Sequence, residues 1–393
     1  MGHILVAGAG IGGLAAALAC ARAGHRVQLL EQSGEFVEAG AGIQLGPNAV
    51  RRLHALGLER ALEQVACWPD ALELHSADGN HVLGRLGLGA RMQSRYGFGY
   101  ATVHRADLQR LLLAALRSRD DIALKLGATA LSHEPAGEGI RLRGQDFSLD
   151  GAMLVGADGL WSVVRGQLLA DGPPRRTGHI AYRALISVQD LPAGLAANAV
   201  HAWMGERMHA VAYPVSAGKR FNLVLVLQQS AADDQGAAPG QWNAPAQTGT
   251  VLQGVSGLRG LLPALLQAAS AWRSWTLHDR PPVAGARAMA QGRVALLGDA
   301  AHPMRPYLAQ GAVMALEDAA ELGQQLQGCT DGAMPAALQR YAQARWQRVA
   351  RVQRRSLRNG QIFHATGPLR WGRNATMALL GQRVLDLPWL YAG

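Results

Sequence analysis

The sequence predicts an α/β protein in which one lobe, drawn from both ends of the chain, is interleaved with an antiparallel β-sheet and followed by a helical C-terminal segment. Three patterns support this prediction. A strand, glycine-rich turn, helix and strand open the chain, four strand-like runs occupy its middle, and a buried strand with a Gly-Asp turn follows them. The predicted divisions are residues 1–176, 177–279, 280–330 and 331–393, and the first and third form the one lobe.

Composition identifies a globular protein. Of its 393 residues, 49% are hydrophobic and 17% are charged. No apolar run approaches the roughly 20 residues that a membrane helix needs, and the N-terminus lacks the basic start and long apolar core of a secretion signal. We therefore expect a cytoplasmic protein without membrane association.

Charge and cysteine content argue against two further classes. The net charge is +10, but the densest arginine group, Arg340–Arg358, lies on an amphipathic pattern, which indicates a solvated helix face rather than a nucleic-acid surface. Cys20, Cys67 and Cys329 are too few and too scattered for a disulfide framework or a zinc site. Neither a nucleic-acid partner nor a metal is expected.

The first unit reads as a βαβ motif, with strands at His3–Ala7 and Arg26–Leu30 and a helix at Leu14–Ala23. Its turn and its last strand carry the residues of a dinucleotide fingerprint: Gly8 for the tight turn, Gly10 for the approach of a pyrophosphate, Gly13 for helix packing, and Glu31 for a ribose. The order of these elements favours a bound dinucleotide over a ligand-free glycine turn. The fingerprint alone fits NAD, NADP and FAD equally.

The segment Gly298–Pro303 is the counterpart of that unit near the other end of the chain. Asp299 follows the apolar run Arg293–Leu297, and a carboxylate at the end of a core strand needs a polar partner. Gly311 and Ala312 then start a helical pattern whose free amides favour negative charge.

The middle of the chain predicts an antiparallel sheet, with strands at His179–Val188, Ala199–Trp203, His209–Val215 and Arg220–Leu227. Residues 233–257, rich in Gly, Ala, Gln and Pro, are predicted to form a surface excursion. On the third strand, His209 and Tyr213 are four residues apart and point the same way. They either face a pocket or serve as buried structural aromatic residues.

Five motifs in order make the chain resemble the group A flavoprotein aromatic hydroxylases, above all the branch of salicylate, 3-hydroxybenzoate and 6-hydroxynicotinate hydroxylases. They are the glycine fingerprint with Glu31, Gly46-Pro47-Asn48-Ala49, His104-Arg105-Ala106-Asp107-Leu108, Gly156-Ala157-Asp158-Gly159 and Gly298-Asp299-Ala300-Ala301-His302-Pro303. The resemblance implies a Rossmann-like FAD-binding domain of para-hydroxybenzoate-hydroxylase type. It also implies that NADH or NADPH reduces FAD and that a flavin C4a-hydroperoxide made with O2 hydroxylates a small phenolic or hydroxylated heteroaromatic acid.

The same resemblance assigns cofactor residues. Asp299 is expected to hold the flavin's ribityl chain, while Gly311 and Ala312 are expected to face its pyrimidine edge. Arg105 is expected to contact FAD, the alternative being a pair with Asp107. Asp158 is expected near the pyrophosphate, the alternative being an ordinary turn residue.

On the substrate side, His209 and Tyr213 are expected to bind or orient the substrate hydroxyl, and His209 to act as a base. Pro306 is expected to shape the loop at the reacting face, with Met304 and Arg305 next to the substrate. Arg183 is expected to meet a carboxylate or guard the flavin, and Arg305 to bind a carboxylate or point to solvent.

Two other functions stay open at this point. One is a flavin-dependent halogenase or a hydroxylase of a larger quinone-type or natural-product substrate. The other is a flavin-binding sensor without catalysis. The C-terminal helix, predicted at Pro335–Gly360, either covers the cofactor lobe or forms a dimer contact, so a monomer or homodimer is expected.

Overall fold

The first sheet has six strands and lies at the centre of the lobe that both ends of the chain build. The computed structural model describes residues 3–36, 41–79, 81–229 and 243–393. The strands pair in parallel, except that the edge strand Ala290–Gln291 is antiparallel to its neighbour. In spatial order they are Ala290–Gln291, Val294–Leu296, Met153–Gly156, His3–Ala7, Arg26–Leu30 and Ile122–Lys125.

The predicted βαβ unit is present at the start of this sheet. His3–Ala7 and Arg26–Leu30 pair in parallel and are connected by the helix Ile11–Arg22. Nearly every residue of that helix is buried, because it packs on the sheet on one side and on the helix Gly311–Leu326 on the other. The two helices approach each other closely because Gly323 has no side chain. A Cβ at that position would lie only 2.9 Å from the Cβ of Ala19.

The second sheet has eight strands and confirms the antiparallel prediction for the middle of the chain. In spatial order they are Ala244–Ala246, Trp272–Asp279, Arg175–Ser187, Arg220–Gln228, Met208–Val215, Ala199–Gly205, Ala71–Ser76 and Val82–Gly87. The last two come from within residues 1–176, and Ala71–Ser76 pairs in parallel with Ala199–Gly205. The interleaving is therefore deeper than the sequence indicated, and the domain boundaries stay predictions.

Two small sheets complete the strands. One is formed by Ala130–Ala136, Gly139–Gly144 and Ser148–Gly151. The other is formed by Gly42–Leu45, which pairs antiparallel to Ala101–His104. From the sequence alone, the glycines of residues 40–49 predict a flexible loop before a helix, and this strand corrects that prediction. The pairing is reinforced because the Gly42 amide donates to Asn222 Oδ1 at 2.8 Å.

The helices cover both sheets. Those not yet named are Pro47–Ala55, Glu59–Val65, Ala90–Tyr96, Arg105–Arg117, Val163–Leu169, Thr248–Gln253, Leu261–Gln267, Met334–Phe363, Gly367–Leu380, Gln382–Leu385 and Pro388–Tyr391. Short 3-10 turns lie at Val188–Asp190, Ala286–Ala288, Gly298–Ala300, Pro306–Leu308 and Asp331–Ala333. The long helix Met334–Phe363 confirms the one predicted at Pro335–Gly360, and it packs against Gly311–Leu326 in the cofactor lobe.

Two further expectations from the sequence concern the surface excursion and the membrane. The first part of the surface excursion predicted at residues 233–257, up to residue 242, lies outside the described residues. In its second part, Thr248–Gln253 is a helix, and Val251 in this helix is buried. Within the described part of the chain, no helix has both the length and the apolar character needed to cross a membrane. The cytoplasmic location and the monomer or homodimer state stay predictions.

Candidate active site

A cavity of about 350 Å³ lies between the cofactor lobe and the eight-stranded sheet. Most of the residues expected to act in the site line it, namely Gly10, Arg105, Arg183, His209, Tyr213, Asp299, Met304, Arg305, Pro306, Gly311 and Ala312. Gly8, Gly13, Glu31 and Asp158 are outside this lining. The glycine turn near the N-terminus and the Gly298–Pro303 segment therefore meet at this cavity. The four residues outside the lining make contacts with the protein backbone instead.

The three fingerprint glycines divide into two roles. Gly8 has φ +97°, and a Cβ there would lie 2.5 Å from the Ala157 carbonyl oxygen, so only glycine fits. A Cβ on Gly13 would collide with the Gly8 carbonyl. A Cβ on Gly10, in contrast, would meet nothing within 4 Å. Gly8 and Gly13 therefore close the turn, and Gly10 leaves its backbone open to the cavity.

Glu31 and Asp158 both bind the backbone. Glu31 accepts from the amides of Ala9 at 2.8 Å and Ser33 at 2.9 Å, which ties the glycine turn to the end of the second strand. Asp158 accepts from Ser162 Oγ at 2.6 Å and from the amide of Val163 at 2.8 Å, at the start of the helix Val163–Leu169. This favours the turn interpretation of Asp158. A ribose contact for Glu31 and a pyrophosphate contact for Asp158 stay predictions.

The Gly298–Pro303 motif is held in place from behind by a buried ion-pair network. Gly298 has φ +60°, and its amide donates to Asp318 Oδ2 at 3.1 Å. His302 Nε2 lies 2.5 Å from the same oxygen, while Arg345 donates to Asp318 Oδ1 at 2.8 Å. These contacts fix the turn and hold the pKa of Asp318 at about 2 despite burial, because the neighbouring His302 and Arg345 favour the carboxylate.

Of the described residues that line the cavity, only Asp299 carries a carboxylate. Among the described residues, no side chain or amide hydrogen-bonds to it. The surrounding protein desolvates the group and raises its pKa, while the nearby charges of His302 and Arg105 act in the opposite direction. The Asp299 side chain is nonetheless exposed to the cavity, so a ligand that replaces the water there must offer the carboxylate a hydrogen-bond donor.

Arg105 reaches the cavity as expected. The alternative partner, Asp107, instead pairs with Arg110 and accepts from Ser216 Oγ at 3.3 Å. The guanidinium of Arg105 therefore remains available to a ligand near Asp299.

The helix Gly311–Leu326 directs its N-terminal end at the cavity, where Gly311 and Ala312 belong to the lining. Its first turn contains no acidic residue, so its amides and positive dipole end are free for a ligand with negative charge. Gln310, just before the helix, is buried and also lines the cavity, and its Oε1 accepts from Asn48 Nδ2 at 3.3 Å. We did not predict Gln310, although its place before a glycine helix start is a usable signal.

The opposite wall belongs to the strand Met208–Val215. His209, Val211 and Tyr213 alternate along it and all line the cavity, as the spacing predicts. The Tyr213 phenol contacts the Gln44 side chain, whose Oε1 accepts from Tyr100 at 2.7 Å. Burial raises the pKa of Tyr213 well above its usual value, so the phenol stays protonated and can donate a hydrogen bond.

Three histidines form a chain behind this wall. His209 Nδ1 lies 2.7 Å from His364 Nε2, His364 Nδ1 lies 3.2 Å from His179 Nε2, and His179 Nδ1 lies 2.9 Å from the carbonyl oxygen of Thr177. Tyr307 packs edge-on against all three rings. His364 follows the long C-terminal helix, and no feature of the sequence led us to predict it in the site.

The Thr177 carbonyl determines which nitrogen is protonated in each of the three histidines, because a carbonyl oxygen can only accept a hydrogen bond. His179 must donate through Nδ1, which leaves its Nε2 free to accept from His364 Nδ1. By the same logic His364 Nε2 accepts from His209 Nδ1. When all three rings are neutral, Nε2 of His209 is therefore the unprotonated nitrogen, and the His209 side chain lines the cavity.

The comparisons with known proteins identify the family. The model described as "FAD binding domain" matches residues 2–356. The chain belongs to this FAD-binding family. It is 39% identical over 399 residues to 3-hydroxybenzoate 6-hydroxylase 1 of Aquipseudomonas alcaligenes, covering 99% of this chain and 97% of that protein.

Two further matches agree. The 6-hydroxynicotinate 3-monooxygenase of Bordetella bronchiseptica is 34% identical, with 90% of each chain covered. A solved salicylate hydroxylase substrate complex has a TM-score of 0.83 and 28% identity, with 100% of this chain and 95% of that chain covered. The resemblance and the fold class are confirmed, and the protein is an FAD-dependent aromatic monooxygenase with NADH or NADPH as co-substrate.

The polar groups that line the cavity match the chemical groups of FAD. The unpartnered carboxylate of Asp299 suits a ribityl hydroxyl. The open backbone at Gly10 suits a pyrophosphate, and the free helix start at Gly311 suits an edge that becomes negative on reduction.

The two candidate arginines differ in their partners. Arg305 already donates to a carboxylate, that of the buried Asp279, at 2.8 Å, and Asp279 also pairs with Arg175 at 3.3 Å. Arg183 is buried, donates to Asn243 Oδ1 at 2.6 Å, stacks on Trp275, and has no hydrogen bond at Nε. Burial and the nearby Arg105 and Arg273 lower its pKa to about 10, which leaves it charged at neutral pH. Arg183 is the better placed of the two to receive an anion.

The histidine chain predicts a pH dependence of stability. Burial lowers the pKa of His209 and His179 and brings that of His364 to about 3, from an ordinary value of 6.5. Below pH 6.5 the unfolded chain binds protons that the folded protein does not, so the free energy of unfolding falls as pH decreases from about 6.5 toward 3. Urea unfolding of the holoenzyme at pH 8, 6.5 and 5 measures it.

The variant His364→Leu supplies the control for this dependence. It removes one titrating group from the chain, and we expect a shallower decline of the unfolding free energy with acid than in the parent protein. An equal decline in both proteins would assign the acid sensitivity to other groups.

Proposed function

We propose that this enzyme hydroxylates a small aromatic acid that carries a ring hydroxyl, with 3-hydroxybenzoate as the first candidate. Its relatives include a 3-hydroxybenzoate 6-hydroxylase and a 6-hydroxynicotinate 3-monooxygenase, both named for hydroxylated aromatic acids. The proposal rests on one cavity wall. It offers a buried cation, Arg183, that has no carboxylate partner in the described part of the chain, and an unprotonated imidazole nitrogen on His209.

The sheet register supports this pairing of groups. Arg183 is opposite Val224, which is opposite Val211, the residue between His209 and Tyr213 on the lining face. The cation therefore lies two strands from the histidine strand, about 10 Å away along the sheet. Long side chains reaching inward across that span match an aromatic ring with a carboxylate at one end and a hydroxyl at the other.

Each residue of the wall has a task in this proposal. Arg183 binds the substrate carboxylate as a fork of donors. His209 Nε2 accepts the proton of the ring hydroxyl, which makes the ring more electron-rich. Tyr213 donates to the resulting oxygen. Since burial lowers the pKa of His209, its ring is neutral across the physiological range and presents Nε2 as a hydrogen-bond acceptor to the ring hydroxyl.

The remaining lining excludes water. Val211, Val224, Val226 and Trp275 form an apolar surface beside the polar groups, which strengthens the hydrogen bonds at the reacting ring. FAD, reduced by NADH or NADPH, supplies the activated oxygen. Asp299, Arg105 and the helix start at Gly311 would hold it on the opposite side of the cavity.

Turnover of a panel of acids tests the proposal. The purified holoenzyme is mixed with NADH or NADPH and with salicylate, 3-hydroxybenzoate, 4-hydroxybenzoate or 6-hydroxynicotinate, and the product mass is measured. We expect one acid of this class to stimulate cofactor oxidation and to gain one oxygen atom. A product only from quinone-type or larger phenols that lack a carboxylate would contradict the proposal.

The role of Arg183 gives a sharper test. Arg183→Gln removes the charge but keeps a donor, and we expect KM for the preferred acid to rise about 10- to 100-fold, since a charge-assisted contact contributes about 1.5–3 kcal/mol. The matched control is Arg273→Gln, because Arg273 is the exposed neighbour of Arg183 in the sheet register. Equal KM values in the two variants would remove Arg183 from the substrate site.

A further inference from the structure

A second cluster of ligating side chains is located on the eight-stranded sheet, away from the cavity. Glu73 and His75 belong to the strand Ala71–Ser76, and His201 belongs to the parallel neighbour Ala199–Gly205, directly opposite Glu73. His201 is in turn opposite Ala212, which alternates with the cavity-lining Val211 and Tyr213. The cluster therefore occupies the other face of the sheet from the active site.

The three side chains bring three ligand atoms together. His75 Nε2 is 3.1 Å from His201 Nδ1, and Glu73 Oε2 is 3.8 Å from the first nitrogen and 3.6 Å from the second. For a tetrahedral zinc ion with bonds of 2.0–2.1 Å, ligand atoms stand about 3.4 Å apart. The triangle of ligand atoms is close to one face of that tetrahedron without any movement of the backbone.

The proton positions leave two of the three atoms, His201 Nδ1 and the Glu73 oxygen, as acceptors. His201 Nε2 lies 2.9 Å from the carbonyl oxygen of Ala196, so this nitrogen carries the proton and Nδ1 is unprotonated. In the absence of a metal, His75 Nε2 donates to that nitrogen at 3.1 Å, and the Glu73 carboxylate lies 3.6 Å from it. A backbone carbonyl on the far nitrogen is also the usual support of a metal-bound histidine.

The surroundings hold the imidazoles in place. Trp203 stacks on His75 and on His201, with ring centroids 5.2 and 5.7 Å apart. His75 and His201 are buried, whereas the Glu73 side chain is 21% exposed and gives access from the surface. Arg85 lies 3.3 Å from Oε1 of Glu73, which leaves Oε2 for the cluster.

We propose that Glu73, His75 and His201 form a binding site for a divalent first-row metal ion of the Zn²⁺ type. Two neutral imidazole nitrogens and one carboxylate oxygen are ligands that suit zinc, with the fourth position open to water. When the metal binds, the hydrogen bond from His75 Nε2 to His201 Nδ1 breaks, and the proton of His75 moves from Nε2 to Nδ1. No atom changes its oxidation state. The ion crosslinks two neighbouring strands of the folded sheet and stabilises the folded state.

The test uses the holoenzyme in metal-free buffer, dialysed against ZnCl2 and analysed for bound zinc and for the thermal midpoint. We expect one saturable zinc per chain and a higher midpoint. Glu73→Gln and His201→Asn should each weaken binding about tenfold or more and abolish the shift in midpoint. Because Glu73 is partly exposed, Glu73→Gln is expected to fold and retain FAD even where His201→Asn does not.

A second pair of a histidine and a glutamate, the half-buried His54 and the exposed Glu59, has Nδ1 and Oε1 3.8 Å apart and provides the matched control. His54→Gln should leave zinc binding unchanged. Two results would overturn the proposal: no saturable zinc in the parent protein, or equal zinc binding in the parent and in folded Glu73→Gln. Hydroxylation is not needed for any of these readouts, so the outcome is independent of the proposed substrate.

Discussion

Asp299→Ala is expected to purify folded but without its yellow colour. The carboxylate is exposed to the cavity and makes no hydrogen bond to the described part of the protein, and the surrounding protein raises its pKa. Removing it costs the cofactor a charge-assisted hydrogen bond, about 1.5–3 kcal/mol, and weakens FAD binding about 10- to 100-fold. Flavin content after gel filtration, from the visible absorbance per chain, measures the effect.

The stability of the apoprotein separates loss of the ligand contact from loss of the fold. Because the carboxylate has no protein partner to lose, the FAD-free variant should unfold at the same urea concentration as the FAD-free parent, or at a higher one. Asp299→Asn keeps an acceptor oxygen and should retain an intermediate amount of flavin. Wild-type flavin content in Asp299→Ala would contradict the assignment.

Asp299 and Asp318 show which parts of the site could be predicted from the sequence and which could not. The run of Gly298, Asp299 and His302 predicted a turn that exposes an acid to a ligand, because the turn chemistry is local. The network that fixes the turn is not local. Asp318 and Arg345 lie on two later helices, and only the packed structure brings them to His302 and the Gly298 amide.

The same distinction applies to the residues that were missed or reassigned. Alternation along one strand was enough to place His209 and Tyr213 on the cavity wall. The sequence could not connect His209 with His364, 155 residues later, because that contact depends on where a long helix ends. Asp158 has two interpretations from the sequence, and its two oxygens bind the start of the next helix, which favours the turn interpretation while the ligand contact stays a prediction.

His209→Ala is expected to retain FAD and to lose the coupling between NADH oxidation and hydroxylation. The imidazole lines the substrate wall, whereas the cofactor candidates Asp299, Arg105 and Gly311 are on the other lobe, so cofactor binding should be unaffected. Loss of a positioned base lowers turnover to product about 10²- to 10⁴-fold. Hydrogen peroxide should then account for most of the NADH consumed. Product and peroxide per NADH are the measured quantities.

Two further variants separate the base from its support. His278→Gln, outside the cavity lining, should behave as the parent enzyme. His364→Ala removes the acceptor that holds the proton on His209 Nδ1, so His209 can carry it on either nitrogen; we expect a smaller loss of coupling and an altered pH profile of turnover. Since the other two histidines act only through His209, His364→Ala should add little in a His209→Ala background. Normal coupling in His209→Ala would make the residue structural, and the chain behind it would then serve packing alone.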